Sequence, residues 1–135
     1  MRFMKTIEVV AGIIWKDGKI LIARRASHKS LPGKWEFPGG KIEYGESPEI
    51  ALERELLEEF NIKTKTRAYF TTNEHQYPDF KIRLICYHSD FIDGNCSLTD
   101  HDQTVWCDLE NIDKYDFAKA DIPVMRKLIA GETSL

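Results

Sequence analysis

Glu46, Arg54, Glu55, Glu58 and Glu59 are spaced as a site rather than as an ordinary surface. Gly40 is followed after five residues by Glu46, and after seven more by the run Arg54-Glu55-Leu56-Leu57-Glu58-Glu59-Phe60-Asn61-Ile62. Ser47-Pro48 ahead of that run reads as a helix start, with serine as N-cap and proline pre-set at the first helical position. At about 100° per residue, Glu55, Glu58 and Glu59 then share an arc of roughly 100° on one helix face. Like charges at such spacings repel by roughly 0.2–0.5 kcal/mol per pair, so the helix gains no stability from them. A solvated acidic face is the plain alternative. A hard divalent cation, which takes oxygen ligands, turns the same repulsion into a binding site.

Those acids need a scaffold around their helix. The stretch Ile7 to Ile14 predicts a largely buried strand, Lys16-Asp17-Gly18-Lys19 a hairpin turn, and Lys19 to Arg25 the returning strand. Residues 27–34, with Pro32 and Gly33, read as a loop, and Trp35-Glu36-Phe37 as a short strand before Pro38. The first helix runs from Ser47 to about Phe60. Strands are expected over 64–70 and 81–90, joined by the polar segment Asn73 to Pro78, and again over 104–107. Asp121-Ile122-Pro123 opens a second helix ending near Ile129, before a polar tail. This order predicts an α/β fold, an α/β/α sandwich with a mixed β-sheet.

The chain is 135 residues long, which fits one domain spanning 1–135 with a core large enough to need no staples. Its net charge of −3 argues against long nucleic acid, whose binders are basic overall. A nucleotide is still allowed, because a metal can supply the local positive charge. Cys86, Cys96 and Cys107 are odd in number and show no CxxC spacing, which predicts reduced cysteines and a cytoplasmic protein. The N-terminus shows no signal-peptide block, and no apolar run is long enough to span a membrane. His28, His75, His88 and His101 are scattered, which predicts surface or satisfied structural roles.

The run from Gly40 to Ile62 resembles the signature of the Nudix (MutT-like) hydrolases, G-x5-E-x7-R-E-U-x-E-E-x-G-U, where U is bulky and aliphatic. Every fixed position matches except the last glycine, which is Asn61 here. A glycine there suits a left-handed helix end, and asparagine is the next best tolerated residue. The likeness extends to Glu8–Ile14, Arg24-Arg25-Ala26, Trp35–Lys41, Val105-Trp106 and Ala120-Asp121-Ile122-Pro123. Val105-Trp106-Cys107 and Ala120–Pro123 are most similar to bacterial CTP pyrophosphohydrolases.

The resemblance implies a Nudix fold and a magnesium-dependent enzyme, with manganese able to substitute. It gives Glu55, Glu58 and Glu59 as metal ligands, together with the backbone carbonyl of Gly39. Glu46 is the remaining acid of the signature, open to a role as base, ligand or orienting group. Glu55 and a loop acid after the sheet are also implied as base or ligand, and Asp100 takes that loop place by its distance from Trp106, with Asp102 its nearby competitor. Arg54 would orient the carboxylates, with direct phosphate contact as the alternative. Arg25 and Lys41 would meet phosphate, while Phe37, Tyr44, Trp35 and Trp106 are possible base contacts.

Asp121 carries the expectation about the base. In relatives selective for oxidised guanine this position is an Asn, which both donates and accepts. An ionised Asp only accepts, and suits the amine of cytosine. Helix capping is its other reading. The expected reaction is hydrolysis of CTP, dCTP or a modified pyrimidine triphosphate to monophosphate and pyrophosphate, within nucleotide-pool sanitation and DNA repair. The alternatives are 8-oxo-dGTP hydrolysis and a non-catalytic nucleotide-binding module. A small-molecule triphosphate would be the partner, with no membrane, and the protein a monomer or weak homodimer.

Overall fold

The computed structural model describes residues 4–98 and 100–131. Residues 1–3, Thr99 and the polar tail 132–135 lie outside the described residues. The elements run β1 Lys5–Lys16, β2 Lys19–Arg25, β3 Trp35–Glu36, β4 Gly39–Lys41, α1 Pro48–Phe60, β5 Ile62–Gln76, β6 Phe80–Gly94, β7 His101–Cys107 and α2 Ile122–Ile129. A short 3₁₀ helix, Leu109–Lys114, follows β7. The strands form one mixed sheet in the order β3-β2-β1-β6-β5, with β4 paired to β1 and β7 paired to β2. Among the described strands only the β1–β6 pair is parallel. The expected α/β sandwich is the observed one.

Period-two alternation sends the apolar residues of β1 and β2 to both sides of the sheet. Val10, Ile14, Leu21 and Ala23 pack with Ala51, Leu52, Leu56 and Phe60 of α1. Ala11, Ile13, Ile20 and Ile22 pack on the opposite face with Val124, Met125 and Leu128 of α2. Leu52, Leu56 and Phe60 are fully buried, each contributing about 1.5–3 kcal/mol relative to exposure. Asp17 and Gly18, at φ 51° and 76°, form the left-handed hairpin turn that the Asp-Gly pair predicts.

Both ends of α1 follow the sequence. Ser47 Oγ accepts the Ile50 N–H at 3.2 Å, and Pro48 is the first helical residue. Asn61 takes φ 54°, ψ 41° and donates its N–H to Leu57 O at 3.1 Å, the role expected for a residue in the glycine position.

Two expectations are corrected. Asn73 to Gln76 is not a connecting loop but the end of β5, paired residue by residue with Lys81 to Leu84 of β6. Its polar side chains sit on a strand with one pairing neighbour, where tertiary pairing outweighs propensity. Gly39–Lys41, placed ahead of the loop with no element of its own, forms a strand on β1.

Candidate active site

The β1–β4 pairing brings the loop end of the acidic run against the helix that carries the rest of it. Val10 faces Gly40 and Ala11 faces Gly39 across the ladder. A side chain on Gly39 would place its Cβ 1.9 Å from Val10 O. One on Gly40 would lie 2.3 Å from the carboxyl carbon of Glu55. The two glycines therefore let β4 sit tight on β1 and leave the space over Gly40 to a carboxylate of α1.

Arg54 binds the acids together. Its guanidinium donates to Glu46 at 2.6 and 2.8 Å, to Glu55 Oε1 at 3.0 Å, to Glu58 Oε2 at 3.1 Å and to Lys41 O at 3.2 Å. Bidentate geometry of this kind fixes direction as well as charge. Glu46 also accepts the Glu43 N–H at 2.9 Å. Its carboxyl is held down at about 2, chiefly by the Arg54 hydrogen bond and then by that backbone bond. Glu55 is pushed the other way: burial raises it, the Arg54 hydrogen bond opposes, and Glu59 and Glu58 raise it further. The guanidinium itself is held more firmly protonated, first by Glu46.

A cavity of about 610 Å³ opens beside these groups. Gly39, Gly40, Lys41, Glu55 and Glu59 line it together with Phe37 and Asp121, and Arg25 and Asp100 are also in its wall. Among the described residues Glu46, Arg54 and Glu58 are not in the lining; they stand behind it, joined through Arg54. Trp35 packs edge-on against Tyr115 and Trp106 against Phe91, both away from the lining, while Tyr44 is fully exposed.

The donors that face the cavity beside β4 are oxygens, which fits magnesium or manganese rather than a thiophilic ion. Glu55 and Glu59 offer carboxylates there, and Gly39 offers a peptide carbonyl at the same wall. Among the described residues no three acidic, histidine or cysteine side chains already converge on one point. Arg54 is where Glu55 and Glu58 meet instead.

Asp121, also in the lining, is buried and its Oδ2 accepts the Phe37 N–H at 3.0 Å. It makes no side-chain cap bond to α2, so the capping role is not what its carboxyl does. Burial raises its pKa well above the carboxylate range, Glu36 nearby adds to this, and the Phe37 bond and Arg25 oppose. The expectation took Asp121 as ionised; its surroundings favour the neutral acid, which gains an O–H donor. The residue just before it is held at both its N–H and its carbonyl. Ala120 N–H donates to Tyr77 Oη at 3.3 Å, and Asn73 Nδ2 donates to Ala120 O at 2.9 Å.

Glu36, Lys29 and Tyr77 are among the lining residues to which the sequence had assigned no role. Glu36 lies beside Arg25, which donates to it at 3.1 Å. Lys29 pairs with Asp100 at 3.5 Å, and Tyr77 adds its ring to the apolar wall. The only signal for Glu36 was its place between Trp35 and Phe37, an acid alternating with aromatics in a short strand.

The chain matches the NUDIX domain family over residues 9–127. It is 40% identical over 127 residues to the CTP pyrophosphohydrolase of Escherichia coli (strain K12), covering 94% of each chain. It is 36% identical over 126 residues to the 8-oxo-dGTP diphosphatase of the same strain, covering 93% of this chain and 98% of that one. Among solved structures it is similar to the E. coli ORF135 protein, with TM-score 0.82 and 41% identity over 94% of this chain and 91% of that one. The fold is shared with the MutT protein from Methanosarcina mazei Go1 at TM-score 0.87 and 21% identity, over 97% and 98% of the two chains.

Proposed function

The chain belongs to the NUDIX domain family and is a Nudix hydrolase, an enzyme acting on phosphorus anhydrides; from that premise we propose its reaction. It hydrolyses a nucleoside triphosphate to the monophosphate and pyrophosphate, and its substrate is CTP, dCTP or a modified pyrimidine triphosphate. The observation that carries this is one cavity lined both by Glu55 and Glu59 of the signature and by Asp121. Nudix hydrolases generally need a divalent cation, usually magnesium. When bound by Glu55, Glu58, Glu59 and the Gly39 carbonyl, it would neutralise phosphate charge and acidify water.

The chain's own groups do the rest. Arg25 and Lys41 take the phosphate charge from the cavity wall. Arg54 holds Glu46, Glu55 and Glu58 in register, so that substrate binding need not order them. Glu46 is an orienting group, and Glu55 and Asp100 are the acids of the lining that can accept a proton from water. Phe37 and Asp121 meet the base. The site suits small nucleotides in the cytoplasm and a role in nucleotide-pool sanitation.

A second reading rests on the burial of Asp121. As a neutral acid it both donates and accepts, as an asparagine does, and an oxidised guanine then fits as well. The likeness to 8-oxo-dGTP diphosphatases supports that substrate too. A panel of CTP, dCTP, dGTP and 8-oxo-dGTP with magnesium decides between them. Higher kcat/KM for the cytosine nucleotides supports the first reading, and a preference for 8-oxo-dGTP replaces it with the second.

A further inference from the structure

We propose that His101 is a positioning residue, acting through Glu36 to hold Arg25 in the substrate cavity. The inference rests on the proposed triphosphate hydrolysis and on Arg25 meeting that substrate.

Three strands meet at this point. Ala23 of β2 pairs with Glu36 of β3, and Arg25 of β2 pairs with His101 of β7. The β2–β7 ladder shifts register between Arg24 and Arg25, so Arg24 lies opposite Gln103 while Arg25 lies opposite His101. Asp102 is the residue the ladder skips, and it pairs instead with Arg24 at 2.7 Å. Directly opposed residues of an antiparallel pair point to the same face. The bulge therefore turns His101, rather than Asp102, toward the face that carries Arg25.

On that face Glu36 joins the two. His101 Nε2 lies 2.7 Å from Glu36 Oε1, and Arg25 donates to the same oxygen at 3.1 Å. Arg25 also donates to the backbone oxygen and the hydroxyl of Ser30. All three residues line the cavity. The His101 side chain is only 6% exposed and its ring packs 5.0 Å from that of Phe60. Its other ring nitrogen, Nδ1, is buried without a partner among the described residues. A proton on Nδ1 would be unpaired, so Nε2 carries the N–H and donates it to Glu36. A histidine kept for packing on Phe60 alone would not need that bond, and a phenyl ring would serve.

Arg25 has four or more rotatable bonds, and leaving it to find its place on binding carries an entropic penalty. The pair of strong bonds on one Glu36 oxygen removes that search. His101 thus affects how tightly substrate is held, not the proton transfers at the acids.

The test is steady-state pyrophosphate release from CTP in excess magnesium, with melting temperature measured beside it. His101→Phe should raise KM about tenfold with kcat changed less than about twofold. His101→Gln, which retains an N–H for Glu36, should recover most of that loss. Glu36→Ala should reproduce it, and serves where His101→Phe fails to fold. In an Arg25→Ala background neither substitution should raise KM further, because residues acting through one another are not additive. A KM unmoved by His101→Phe and by Glu36→Ala in an active enzyme overturns the positioning role and leaves the reaction standing. So does full additivity with Arg25→Ala. No pyrophosphate release from any nucleotide by the unaltered protein overturns the proposed reaction, and this inference with it.

Discussion

Arg54 grips Glu46 with two parallel hydrogen bonds, Nε to Oε2 at 2.6 Å and a terminal nitrogen to Oε1 at 2.8 Å. The same guanidinium reaches Glu55 and Glu58, so a single planar cation spans three acids of one signature. Lysine would keep the charge but lose the fork. Arg54→Lys should therefore lower kcat at least about tenfold with the circular dichroism unchanged. Near-normal turnover in that variant would show that the acids need no common anchor.

Gly40 tests the same geometry from the opposite side. A Cβ there meets the end of the Glu55 side chain, which can swing away, rather than fixed backbone. Gly40→Ala should leave the melting temperature within a few degrees of wild type, about 1 kcal/mol or less, while activity falls severely. An active Gly40→Ala enzyme would mean that the Glu55 carboxylate has no fixed station. Gly39→Ala differs, because its Cβ runs into Val10 O, and it should destabilise the fold itself.

Glu58→Gln removes one charge from the helix face without altering its shape. Its side chain is 56% exposed and bonded to Arg54, so the fold should be indifferent to the change. If Glu58 is a metal ligand, turnover should fall by well over tenfold, equivalent to more than about 1.4 kcal/mol. Retention of more than about a tenth of the wild-type rate would remove it from the ligand set.

Chelation separates fold from chemistry. Magnesium or manganese should be required for turnover, and excess chelator should abolish it reversibly. The two-sided core is built from side chains alone, so circular dichroism should hardly change. Full activity in excess chelator would refute a metal-dependent reaction.

Asp121 links stability to pH. Its folded-state pKa lies above its unfolded value, so the folded state binds the extra proton. Stability from this group is fully present below the unfolded carboxylate range and falls as pH rises toward the folded pKa. Asp121→Asn keeps an acceptor for the Phe37 N–H and carries no charge. It should raise the melting temperature at pH 8 and change it little near pH 3. Glu46 works in the opposite sense: held down at about 2, its contribution is present above the usual carboxylate range and is lost as pH falls toward that value. Where Asp121 is ionised it only accepts, and the same Asp121→Asn variant should then shift the cytosine-to-guanine kcat/KM ratio toward guanine, by on the order of 1–3 kcal/mol. Where the acid stays neutral it already donates and accepts as asparagine does, and the ratio should hold. An unchanged ratio where Asp121 is ionised would leave base choice to other residues of the wall.

Much of this protein is local chemistry, and local chemistry is legible in a sequence. Ser47-Pro48 and Asn61 bound α1 because capping depends on a residue and its neighbours within one turn. Asp17-Gly18 forms its turn for the same reason. The spacing of Glu46, Arg54, Glu55, Glu58 and Glu59 identified the acidic part of the site, since helix periodicity alone puts the last three together. What the sequence could not decide depends on which strand lies beside which. β4 exists because Gly39 and Gly40 find β1, and β5 extends to Gln76 because β6 pairs with it. A one-residue register shift puts His101, not Asp102, opposite Arg25. Burial, with Glu36 nearby, pushes the Asp121 pKa upward, an effect of its neighbours across the fold and not of the residue.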